Sequence, residues 1–78
     1  MNRKTTERQL AEVFAVVVGR LVPLEANRKD VPEWDSLKHM QLVFAVEEQF
    51  GLQFSEADIP LLDSMARFAD LIDRQNAA

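Results

Sequence analysis

Three stretches of the chain repeat apolar residues at the spacing of one helical face. Leu10, Val13, Phe14, Val17, Val18 and Leu21 form the first, Leu42, Val43, Val46 and Phe50 the second, and Met65, Phe68, Ala69 and Ile72 the third. Steps of three and four residues stack side chains along a helix, whereas a strand needs alternation, so the pattern predicts an all-α fold. No disulfide can staple this core, because the 78 residues include no cysteine. With 47% hydrophobic residues, two glycines and three prolines, the composition suits a small bundle held by side-chain packing alone. The expected architecture is three main helices plus one short helix, with a long loop between the first and second helices, in a single domain spanning residues 1–78.

Local signals set the boundaries. Thr6 with Gln9 has the form of a capping box for the first helix, and Gly19 and Pro23 help to end it. Between Val22 and Trp34 the periodicity is lost and Pro23, Asn27, Asp30 and Pro32 interrupt any helix, which predicts a loop of about a dozen residues. The second helix should run from Ser36 to Phe50 and stop at Gly51, a natural left-handed cap. It bears two apolar stripes. Leu42, Val43, Val46 and Phe50 make the core stripe, and Leu37, Met40 and Phe44 run beside it. That second line is either the edge of a wide buried face or a partner-docking surface, and its alignment with Ser36, one turn above Met40, favours docking. After Gly51, Leu52 and Phe54 alternate outward and inward. "SEAD" then starts a short third helical turn capped by Ser55 and limited by Pro60, and the last helix begins near Asp63 or Ser64. The tail "RQNAA" is expected to fray.

Charge is unevenly spread. Residues 1–29 hold six Lys or Arg against three Glu, a balance of +3, and residues 30–78 hold three against ten acids, a balance of −7. Most of such a surface repels a phosphate backbone, so nucleic-acid binding is not expected, and partners should approach the acidic part with basic surfaces of their own. The apolar run "VFAVVV" is far short of the roughly 20 residues of a membrane span, and the basic start leads to no continuous apolar signal segment. A cytoplasmic location and a monomer are expected, in keeping with the lack of cysteine.

Ser36 raises the question of chemistry. Asp35, Ser36 and His39 invite comparison with a catalytic triad, but three neighbours at one exposed helix start cannot also arrange a far-nitrogen acid contact, oxyanion donors and a dry pocket. His39, the lone histidine, reads as a surface residue, and no metal-ligand spacing is present. Asp35 or Ser36 can instead cap the second helix, where a carboxylate complements the helix dipole.

The residues after the serine are more specific. The segment "WDSLKHMQLVFAVEEQFGLQFSEADI" resembles the central part of the acyl carrier protein family: Asp35, Ser36 and Leu37 at the start of the second helix, then Leu42, Val43, Val46, Glu47, Glu48, Phe50, Leu52 and Phe54 before a short acidic helix. "LLDSMARFADLI" continues the likeness into the last helix, and the first helix and loop match by length and periodicity. The resemblance implies that Ser36 receives a 4′-phosphopantetheine arm from coenzyme A, attached by a separate phosphopantetheinyl transferase using magnesium. The arm's thiol would carry an acyl group as a thioester, and the protein would be a carrier and not an enzyme. By the same carry-over Asp35 and Leu37 should contact the transferase, and Leu37, Met40, Gln41, Phe44, Glu47 and Glu48 should meet partner enzymes.

The sequence also departs from the family pattern. Carriers of primary fatty acid synthesis usually have acids two and five residues after the modified serine, where this chain has Lys38 and Gln41. The form "WDSLKH" looks more like free-standing carriers dedicated to special pathways, such as polyketide, modified lipid or other specialised acyl transfer. Partners would then include an acyl-loading ligase or acyltransferase and downstream acyl-processing enzymes. An aminoacyl or peptidyl carrier is the alternative within the family. A non-carrier helical interaction module, docking one partner through Leu37, Met40 and Phe44, is the alternative outside it.

Overall fold

The computed structural model describes residues 2–76, and among these the chain is all-helical. Helix α1 spans Arg3–Val18, α2 Ser36–Phe50 and α3 Met65–Asn76, with one-turn 3-10 segments at Arg28–Asp30 and Ile59–Leu61. None of these helices is long and apolar enough to cross a membrane.

Helix α1 starts earlier than its capping-box signal suggests. Asn2 is the N-cap, its side chain accepting from the Thr5 N–H at 2.8 Å. Thr6 lies one turn inside, fully buried, and its hydroxyl donates to the Asn2 carbonyl at 3.2 Å. The reason is positional: Thr6, Leu10, Phe14 and Val18 are the buried residues of α1, each four after the last. Gly19, at φ 94°, ends the helix, and its N–H donates to the Ala15 carbonyl. Leu21 lies beyond that break and is 80% exposed, so it leaves the expected core stripe, while Val13 and Val17 are half-buried at its edge.

The connection to α2 is long but anchored. Val22, Val31 and Trp34 are buried along it. Asn27 caps the first 3-10 turn with a reciprocal box, accepting from the Lys29 N–H while its own N–H donates to the Asp30 carboxylate. The loop is fastened to the start of α3 by an antiparallel bridge between Asn27 and Ser64, with Arg28 N–H donating to Asp63 O and Ala66 N–H to Leu24 O. Arg20 and Glu33 pair at 2.7 Å near its two ends; the hydrogen bond from Arg20 holds the Glu33 carboxyl below its ordinary range.

Helix α2 has the bounds its sequence predicts, with Gly51 at φ 65° as its C-cap. Leu42, Val43 and Val46 are buried and Phe50 half-buried. The short helical turn expected from "SEAD" is present as a capped turn that leads into the 3-10 turn at Ile59–Leu61. Ser55 and Asp58 cap each other, the Ser55 hydroxyl accepting from Asp58 N–H and the Asp58 carboxylate from Ser55 N–H. Pro60 sits within the first positions of the 3-10 turn, where no amide hydrogen is needed, so it helps to start the turn. Ser64 precedes α3, its hydroxyl accepting from Arg67 N–H, and Met65, Phe68, Ala69, Leu71 and Ile72 face inward. Arg74–Asn76, in the tail expected to fray, are still helical, and Ala77 and Ala78 lie outside the described residues.

One aromatic cluster joins all these parts. Phe68 of α3 meets Phe14 of α1 edge-on at 5.4 Å and Phe54 of the second loop at 5.8 Å, and Phe14 meets Trp34 at 5.3 Å. At the far end, Arg3 of α1 reaches Glu7 and also Asp70 and Asp73 of α3, at 2.8–2.9 Å.

Candidate functional site

The start of α2 is built by the residues flanking Ser36. Asp35 is the N-cap: its backbone is extended (φ −92°, ψ −172°), its carboxylate accepts from Lys38 N–H at 2.9 Å and its carbonyl from His39 N–H at 2.8 Å. Ser36 is the first helical residue and Leu37 the second, and neither amide has an acceptor within the helix. Both side chains are exposed, Leu37 to 66%.

Behind this exposed edge lies a buried polar relay. Trp34 is 3% exposed and its indole Nε1–H donates to His39 Nδ1 at 3.0 Å. An indole nitrogen only donates, so Nδ1 accepts and the imidazole carries its hydrogen on Nε2, which donates to the Ile59 carbonyl at 2.9 Å. His39 is thus a buried core residue, 5% exposed, and not the surface histidine its isolation suggested. The relay ties the start of α2 to the preceding loop and to the second 3-10 turn. It also removes the triad: both ring nitrogens are engaged inside the fold, and the Asp35 carboxylate is held by the helix. The position of His39 was visible in the sequence, since 39, 43, 46 and 50 continue the core stripe; its partners were not, because Ile59 is 20 residues away.

The other residues expected at the site divide between two directions. Leu37 and Phe44 (61% exposed) project outward with Met40 half-buried between them, and Gln41 is exposed beside them. Glu47 and Glu48, about 100° apart around the helix axis, part company. Glu47 is half-buried and its carboxylate accepts from Phe54 N–H at 2.8 Å, fixing the loop that follows α2. Glu48 instead lines a groove against α1 with Ala45 and Gln49. Glu47 therefore has a structural bond that the sequence reading missed, and the six residues read as one face are an apolar line with one acid turned to either side. Among the described residues no group of three or more His, Cys, Asp or Glu could hold a metal ion.

No protein-family model matches the chain, and no curated protein matches it. Its structure is similar to the solution NMR structure of a holo acyl carrier protein from Geobacter metallireducens, with a TM-score of 0.80 and 28% sequence identity over 92% of this chain and 86% of that one. The chain has an acyl carrier protein fold. The likeness supports a carrier role. In this carrier fold, Asp35-Ser36-Leu37 occupy the capped start of α2, the place where the sequence resemblance put them.

Proposed function

We propose that the chain is an acyl carrier protein bearing 4′-phosphopantetheine on Ser36. The observation that carries this reading is an exposed serine at the first position of α2, behind a capping Asp35, in a fold similar to that of a holo acyl carrier protein. These residues fit a phosphodiester. The Ser36 hydroxyl makes no hydrogen bond within the described residues, the neighbouring amides lack helical acceptors, and the positive end of the helix dipole favours an anion there. Attachment forms a bond from Ser36 Oγ to the β-phosphorus of coenzyme A, breaks the phosphoanhydride and releases adenosine 3′,5′-bisphosphate. The serine proton goes to a base of the transferase, so no base is needed in this chain. When bound, the group supplies a thiol that holds an acyl chain as a thioester.

The chain's own residues do the presenting. Asp35 and the Trp34–His39–Ile59 relay hold the serine at one place and leave it outside. Leu37, Met40 and Phe44 offer apolar anchors to a phosphopantetheinyl transferase, a loading ligase or acyltransferase and later acyl-processing enzymes, with Gln41 and the acids Glu47 and Glu48 around them. Lys38 and Gln41, where fatty acid carriers usually have acids, favour a dedicated pathway with its own partners. The protein in this reading is a cytoplasmic monomer that is itself no enzyme. Aminoacyl or peptidyl cargo is the alternative on the same arm.

Intact mass after incubation with coenzyme A, magnesium and a broad-specificity transferase tests this reading. A gain of one phosphopantetheine in the wild type and none in Ser36→Ala is expected. No gain, with the protein folded and the transferase active on another carrier, would instead favour an interaction module docking through the exposed Leu37 and Phe44.

A further inference from the structure

Arg28, in the loop before α2, is held in place by the fold while most of its charged group stays unengaged. Its backbone is fixed on both sides: the N–H donates to the Asp63 carbonyl at 2.7 Å, and its own carbonyl accepts from Val31 N–H at 3.2 Å. The side chain turns towards α2, where Nε donates to the Trp34 carbonyl at 3.4 Å. That contact is long and therefore weak. A guanidinium carries a fork of donors, and the Nη groups of Arg28 have no acceptor within the described residues. The acids nearest in sequence are each engaged elsewhere. Asp30 accepts from Asn27 N–H, Glu33 pairs with Arg20, and the Asp35 carboxylate caps α2. Among the described Lys and Arg residues that make no ion pair, only Arg28 and Lys38 are half-buried. Lys38 lies about 200° around α2 from Ser36, on the far side of the helix. Arg28 instead meets the chain two residues before Ser36, with Asp35 extended between them, a span of about 7 Å from Cα to Cα.

Given the arm proposed on Ser36, we propose that Arg28 binds its phosphate. The Nη groups donate to the two non-bridging oxygens of the phosphodiester while Nε keeps the Trp34 carbonyl, a match of planar fork to oxygen pair that a lysine ammonium does not reproduce. The base of the arm is then tied to the loop and no longer turns freely about the serine side chain. Modification also braces the loop, because the backbone of Arg28 is itself fastened to Asp63 just before α3. Arg28 thus serves as a binding residue for the arm's anchor, apart from the apolar line of Leu37, Met40 and Phe44.

The test follows the guanidinium signals of arginine-labelled protein by NMR before and after modification, with intact mass confirming the arm. The Arg28 Nε–H signal is expected to move more than that of any other arginine, and the phosphorus resonance to differ between wild type and Arg28→Met. In thermal melts at low salt the modified protein should exceed the unmodified one by about 2–5 °C. That gain should fall to about half or less in Arg28→Met, where only the helix dipole still favours the phosphate. It should be partly kept in Arg28→Lys and fully kept in Lys29→Met, which removes an equal charge from the exposed neighbouring residue. An equal gain in wild type and Arg28→Met, or an Arg28 signal that modification leaves in place, would overturn the proposal while a complete mass gain keeps the carrier reading. An equal loss in Lys29→Met would assign the effect to net charge and overturn it too. No mass gain at all would remove the carrier reading and this contact together. If Arg28→Met fails to fold or to be modified, the wild-type signals decide alone.

Discussion

Replacing the His39 imidazole by a methyl group strands two polar partners together, the buried Trp34 indole N–H and the Ile59 carbonyl, and opens a hole beside Phe68. An unmade buried hydrogen bond and lost packing each cost of the order of a kilocalorie or more, so His39→Ala should destabilise by roughly 2–4 kcal/mol. Urea unfolding followed by Trp34 fluorescence measures it, and a loss under about 0.5 kcal/mol would mean that the relay does not form in solution. Ser36 makes the opposite case. Its side chain is exposed and bonded to nothing in the fold, so Ser36→Ala should shift stability by no more than about 0.5 kcal/mol while abolishing any modification. Asp35→Ala removes the N-cap and should cost about 1 kcal/mol in the same assay, with most of that recovered in Asp35→Asn, which keeps an acceptor for Lys38 N–H.

At the scale of elements, helix α2 was legible to the residue because its signals are local: an Asp cap, an apolar stripe and a glycine that closes it in the left-handed region. Helix α1 was legible in its stripe and its Gly19 stop but not in its start, since Asn2 and Thr6 can both cap and only the tertiary core decides which is buried. Leu21 was misread for a related reason, a periodicity counted through the glycine that ends the helix. The Glu47 bond to Phe54 was beyond sequence reasoning, because a glutamate at that spacing looks like any solvated helix residue until the next loop folds back onto it. That bond makes its own prediction. Removing a charged acceptor from a partly buried amide should cost roughly 1–2 kcal/mol in Glu47→Ala and clearly less in Glu47→Gln, whose carbonyl can still accept. Equal losses in the two variants would assign the effect to charge alone and not to the bond. The comparison matters for the site, because a partner defect in Glu47→Ala would otherwise be credited to lost docking when it arises from a loosened loop.

Across the whole molecule, the two ends of the chain are joined chiefly through side chains. Helices α1 and α3 share the aromatic core around Phe14 and Phe68, and outside it Arg3 spans from Glu7 on its own helix to Asp70 and Asp73 on α3. Those hydrogen bonds, Glu7 first, hold the guanidinium firmly in its charged form. The group is open to water, with 39% of the Arg3 side chain exposed, so screening takes most of the Coulomb gain and only the shared geometry of three carboxylates lifts the cluster above an isolated surface pair. Arg3→Met keeps an apolar stem and removes the charge, leaving Glu7, Asp70 and Asp73 as unrelieved neighbours on a chain already at −4. The variant should therefore lose about 0.5–1.5 kcal/mol at low salt, and the loss should shrink as salt rises towards 1 M, where the screening length falls to about 3 Å. Parallel urea titrations of wild type and Arg3→Met across that salt range decide it. A difference that does not change with salt would mean that the arginine ties α1 to α3 through the packing of its stem, and that the carboxylates around it are bystanders.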